Sequence, residues 1–134
     1  MQAYRLTDTL AVCGQISTAA VAEIAAAGFK VLVNNRPDGE EMNQPSSAEI
    51  QAAAEAAGLE YYHMPVNAMS FPGEQIEEMA TLFDDPERPV FAFCRTGTRC
   101  TNLWVVSREP QLREEAAAHA HRLGFDLSLA MRML

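Results

Sequence analysis

Residues Pro89-Val90-Phe91-Ala92-Phe93 form a short, nearly all-apolar run that ends directly on Cys94. A strand without polar alternation has to be covered on both faces, as a central strand of a parallel sheet is. That demand narrows the fold at once, because both covers must come from the rest of the chain. Three further apolar runs are read as strands: Leu10 to Cys13, Phe29 to Val33 and Leu59 to Val66. Between them lie helix-forming stretches. One is alanine-rich, opened by Ser17-Thr18 and stopped by Gly28; another is capped near Ser46 or Ser47 and stopped by Gly58. A third helix is expected from Phe71-Pro72, with Glu74, Glu77 and Glu78 in its first turns, where the helix dipole favours negative charge. Helices are also expected over Cys100 to Ser107, Pro110 to Leu123 and from Phe125 onward. Strands alternating with helices predict an α/β three-layer sandwich around a mainly parallel sheet of four to five strands, with its ligand site at the carboxyl ends of the strands.

With 134 residues, 49% of them hydrophobic, the chain is expected to form one domain over residues 1–134. No stretch approaches the ~18 to 20 uninterrupted apolar residues of a membrane span, and Met1-Gln2-Ala3-Tyr4-Arg5 lacks the regions of a signal peptide, so a soluble, cytoplasmic protein is expected. A formal charge of -8 without a Lys/Arg stripe argues against nucleic acid and against an anionic membrane surface as partners. A small anionic substrate would have to be caught locally. Cys13, Cys94 and Cys100 lack metal-ligand spacing, so neither a disulfide framework nor a metal site is expected, and no cofactor is implied.

The local catch is Cys94-Arg95-Thr96-Gly97-Thr98-Arg99. A strand end holds the sulfur rigidly, while Gly97 lets the backbone curl so that the N–H groups of Arg95, Thr96, Gly97 and Thr98 turn inward. The helix after the loop adds its positive N-terminal end. Arg99 can offer a fork of two N–H groups to a tetrahedral anion. The same field favours the Cys94 thiolate, since such settings bring a cysteine pKa from about 8.5 into the ~3.5 to 7.5 range. Cys94 is therefore the expected nucleophile and Arg99 its partner on the oxyanion.

Over roughly residues 8 to 107 the sequence resembles the bacterial beta-lactamase-hydrolase-like, phosphatase-like domains, which share the fold of tyrosine and dual-specificity phosphatases. The resemblance is carried by Asn34-Asn35-Arg36-Pro37-Asp38-Gly39-Glu40-Glu41, by Tyr62-His63-Met64-Pro65-Val66 and by Phe93-Cys94-Arg95-Thr96-Gly97-Thr98-Arg99. It implies a catalytic Cys94 with Arg99 binding the oxyanion. Domains of this kind also occur beside persulfide dioxygenases, where they look like sulfurtransferases; a persulfide dioxygenase partner is implied on that ground.

Two chemistries fit this loop. The phosphatase pattern has five residues between cysteine and arginine; this loop has four and is similar to that of single-domain rhodaneses, which carry a persulfide on the cysteine. A phosphatase also needs an acid for the leaving oxygen. The loop Val66 to Gly73 offers none, Asp84 and Asp85 are expected at a helix end on the opposite side of the sheet, and Asp38 is either that acid or the turn residue of Pro37-Asp38-Gly39. Sulfur transfer needs no acid, because the leaving sulfite or thiolate departs unprotonated. The leading expectation is thus a sulfurtransferase carrying a persulfide on Cys94. The alternative is a phosphatase-like hydrolase working through a cysteinyl-phosphate, and a second alternative is a non-catalytic domain binding an anion or partner through the same loop.

Besides Asp38, three accessory residues carry two readings each. Cys100 either resolves an oxidised Cys94 or packs as a small apolar side chain. His63 either touches the site or is satisfied by backbone. Arg36 either anchors the polar loop or faces the anion. Cys13, Phe93 and Trp104 are expected in the core.

Overall fold

The computed structural model describes all 134 residues. Its sheet has the order β1-β2-β5-β3-β4, built from β1 (Ala3–Thr7), β2 (Leu10–Cys13), β3 (Val31–Asn34), β4 (Glu60–His63) and β5 (Val90–Phe93). β2, β5, β3 and β4 run parallel, and β1 is added antiparallel at the edge beside β2. The apolar run before Cys94 is the central strand, each of its four residues buried. β1 was not among the expected strands: only Leu6 of its five residues is buried, so it carries little apolar signal and is held by its hairpin to β2.

The covers expected from β5 are both present. Helices α1 (Ala20–Ala26) and α2 (Ser47–Ala56) pack Val21, Ile24, Ile50 and Ala54 against Leu32, Phe91 and Phe93 on one face. On the other, α3 (Ile76–Phe83), α4 (Thr98–Ser107), α5 (Arg113–Arg122) and the short α6 (Ser128–Met131) surround Val31, Val33, Val90 and Ala92. Alternate residues of β5 thus serve opposite layers, as the pleat requires. This is the three-layer α/β sandwich read from the sequence.

Local signals explain the element ends. Ser46 caps α2 in a reciprocal box with Glu49, its hydroxyl accepting the Glu49 N–H at 3.1 Å. The third helix starts at Ile76 rather than Phe71-Pro72, because Gly73 takes a left-handed φ of 86° that interrupts any helix there. α4 starts two residues earlier than expected, at Thr98, directly after Gly97. No helix is long and apolar enough to cross a membrane.

Candidate active site

Cys94 comes directly after β5 at the carboxyl end of the sheet, and the backbone beyond it is bound to the end of β2: the Cys94 N–H donates to the Cys13 carbonyl at 3.3 Å and the Gln15 N–H to the Arg95 carbonyl at 3.2 Å. The approach is too close for side chains. A Cβ on Gly14 would lie 3.1 Å from the Arg95 oxygen, and one on Gly97, whose φ is +88°, would lie 3.3 Å from the Cys13 carbonyl. Gly97 is therefore required both by conformation and by space. Its N–H donates to the Cys94 sulfur at 3.1 Å.

Cys94 sits at the positive end of α4, only 1% exposed. Its pKa is lowered to about 6, foremost by the Cys100 thiol, which donates toward it, and then by backbone N–H groups of Cys100, Thr96 and Gly97; together these outweigh the cost of burying the charge. Cys100 itself is pushed up by complete burial and by the thiolate beside it, so it keeps its proton. Cys100 thus does more than pack, since its protonated thiol next to Cys94 favours the thiolate. Cys13 is raised by burial and lies in the core, as expected.

Arg99 lies in the first turn of α4. Its Nη1 and Nη2 grip both oxygens of Glu40 at 3.0 and 2.9 Å, and Nη1 also donates to the Val66 carbonyl at 2.9 Å. These bonds fix the guanidinium and leave the Nε–H and the second Nη2–H without a protein partner, which together form a free two-pronged edge. Arg36, only 2% exposed, donates from Nε to Glu40 at 2.8 Å, from Nη2 to Glu41 at 2.8 Å and from Nη1 to Gln15 at 3.0 Å. Glu41 continues to Arg95 Nε at 3.1 Å. The result is a ladder, Arg99-Glu40-Arg36-Glu41-Arg95, that ties the polar loop to the cysteine loop. Arg36 is an anchor. Glu40 and Glu41, which single-residue reasoning passed over, organise the arginines; their place in the Arg36 to Glu41 motif was the available signal.

Asp38 accepts the Ser47 N–H at 2.8 Å and so braces the start of α2. His63 Nε2 lies 2.9 Å from the Arg36 carbonyl, the backbone-satisfied state. Neither is brought to the sulfur by these contacts. Thr96 and Thr98 share a hydroxyl bond of 3.0 Å on the exposed side of the loop. Two buried polar residues on α4 were not singled out from sequence: the Thr101 hydroxyl donates to the Gly97 carbonyl at 2.9 Å, and Asn102 donates to the Thr98 and Asp126 carbonyls at 2.7 and 2.8 Å while accepting the Ala130 N–H at 2.9 Å. Asp84 and Asp85 pair with Arg108 and Arg88, the latter next to the amino end of β5, far from the loop along the strand.

Comparison with known proteins adds to this geometry. Residues 3–110 match the model of the beta-lactamase hydrolase-like protein, phosphatase-like domain. The whole chain aligns at 35% identity with a beta-lactamase hydrolase-like protein of Agrobacterium fabrum and at 36% with one of Xylella fastidiosa, covering 32% of each relative's length; it therefore spans about a third of these curated relatives. Among solved structures, a candidate phosphatase from Neisseria meningitidis Z2491 is 35% identical with a TM-score of 0.75, over 92% of this chain and 89% of that one. Tk-PTP in its active form shares the fold at 20% identity, TM-score 0.75, over 97% of this chain and 91% of that one. Matched over most of its length, the chain belongs to the family of beta-lactamase hydrolase-like protein, phosphatase-like domains.

Proposed function

We propose that the chain is a phosphatase that cleaves small phosphoesters through a cysteinyl-phosphate on Cys94. The observation that carries this reading is the setting of Cys94 in a phosphatase-like fold: a sulfur held by the Gly97 N–H at 3.1 Å at the start of α4, its pKa lowered to about 6, and near enough to Arg99 for the two charges to favour each other. The thiolate attacks phosphorus, an S–P bond forms, and the P–O bond breaks with its electron pair leaving on oxygen. Water then attacks the same phosphorus, the S–P bond breaks, and the pair returns to Cys94 while the water's proton passes to solvent. The loop N–H groups and Arg99 stabilise the charge on the equatorial oxygens.

The leading expectation from sequence was sulfur transfer, resting on the four-residue spacing and the missing acid. The family and the structures matched support the phosphatase alternative instead, and they offer nothing for a persulfide dioxygenase partner. Support for phosphoester binding comes also from Pseudomonas aeruginosa TpbA, solved in complex with pTyr, which shares the fold at 16% identity and a TM-score of 0.59.

The test is turnover of an aryl phosphate by the purified protein, with loss of activity in Cys94→Ser and a phosphorylated Cys94 trapped by rapid acid quench. No turnover, combined with addition of one sulfur atom to Cys94 from thiosulfate, would restore sulfur transfer.

A further inference from the structure

The carboxyl groups of the polar loop that meets the cysteine loop are already committed to other partners. Glu40 accepts three N–H groups, two from Arg99 and one from Arg36, through both of its oxygens. Glu41 lies between Arg36 at 2.8 Å and Arg95 at 3.1 Å. Asp38 is bound at the start of α2, and Asp126, next to the Asn102 tether, accepts the Ser128 N–H at 2.7 Å. The loop Val66 to Gly73 carries no acid before the exposed Glu74 that follows it, and its turn is held by Asn67, which accepts the Met69 and Ser70 N–H groups at 2.8 and 2.9 Å.

A carboxyl beside a guanidinium stays ionised and has no proton to give. Glu40 and Glu41 are both held below the usual carboxylate range, by Arg99 and by Arg36 respectively. The Cys100 thiol does hold a proton, yet it meets Cys94 from within the core, where it is fully buried. In an in-line displacement the leaving oxygen lies across the phosphorus from the sulfur, out of that thiol's reach. The ladder that fixes Arg99 for the anion thus consumes Glu40 and Glu41, the carboxyls tied to the cysteine loop.

Resting on the phosphatase reading above, we propose that the site acts on phosphoryl donors whose leaving group departs as a stable anion without receiving a proton, namely acyl phosphates and phosphates of acidic phenols. It discriminates against alkyl phosphates. In the first step the S–P bond forms as the P–O bond breaks, and the electron pair stays on a carboxylate or phenolate that solvent protonates later or not at all. An alkoxide cannot leave in this way.

The experiment is a leaving-group series with the wild-type protein at fixed pH: acetyl phosphate, p-nitrophenyl phosphate, phenyl phosphate and glycerol phosphate, each compared with Cys94→Ser. Rates should fall steadily along the series, with kcat/KM for glycerol phosphate about 10²–10⁴-fold below that for p-nitrophenyl phosphate, the contribution that a positioned acid otherwise supplies. A flat series with Cys94-dependent turnover would leave the phosphatase reading intact and overturn the inference, because an acid must then reach the leaving oxygen. Absence of Cys94-dependent turnover with all four donors would overturn both.

Discussion

Removing the Cys100 thiol should raise the pKa of Cys94 and slow its chemistry at low pH without unfolding the protein. The drop from 9.0 to about 6 corresponds to about 4 kcal/mol in favour of the thiolate. Cys100 makes the largest favourable contribution, and a hydrogen bond to a charged group is worth about 1.5–3 kcal/mol. At about 1.4 kcal/mol per pH unit, Cys100→Ala should therefore move the Cys94 inflection from about 6 to about 7–8. Below both inflections the thiolate population falls about 10- to 100-fold.

The assay is the rate of iodoacetamide alkylation of Cys94 as a function of pH, monitored by mass spectrometry. The Cys13 and Cys100 thiols are both raised, so they stay protonated through the window in which Cys94 titrates. Cys100→Ser keeps a donor at the same place and should return the inflection toward that of the wild type. If Cys100→Ala titrates with the wild-type inflection, the reasoning fails: the backbone N–H groups of Cys100, Thr96 and Gly97 would then be sufficient by themselves.

The lowered pKa also ties stability to pH. Because the native value of about 6 lies below the ordinary 9.0, the folded state binds fewer protons than the unfolded state between them; the stabilisation is complete above about 9 and lost as pH falls through about 6. Unfolding free energies from urea titrations should rise with pH over that window, by up to about 1.4 kcal/mol per pH unit, and Cys94→Ser should remove this component of the slope. Asn102→Ala leaves two carbonyls and one N–H without their partner in a buried setting and should cost about 1–3 kcal/mol in a urea titration. An unchanged midpoint would show that water replaces the side chain.

Much of this architecture is legible because the strongest signals are local. An apolar strand ending on Cys94, glycines after helices and a Ser46-Glu49 cap each act within a few residues, and the structure keeps all of them. β1 escaped because its alternation buries a single residue. Glu40 and Glu41 escaped for another reason: their partners Arg95 and Arg99 lie more than fifty positions away, and only the sheet brings the two loops together. Asp38 shows the converse. A turn residue beside a charged motif has the composition of a catalytic acid, and its bond to Ser47 could not be read from its neighbours.

The spacing from Cys94 to Arg99 was the ground for preferring sulfur, and the structure shows why a count of residues is weaker evidence than it looks. Counting assumes that the loop ends where the arginine begins. Here α4 already starts at Thr98, so Arg99 projects from a helical turn, and the position of its guanidinium is set by Glu40 and the Val66 carbonyl rather than by the width of the loop. The sulfur is held instead by the Gly97 N–H at 3.1 Å, and the N–H groups of Thr96 and Cys100 and the Cys100 thiol add to the field that favours the thiolate. Donor number and direction decide which anion such a ring can hold, and both depend on where the helix begins. A shorter loop can hold a tetrahedral anion if the helix after it brings its free N–H groups to the sulfur, and α4 begins immediately after Gly97, whose own N–H reaches Cys94.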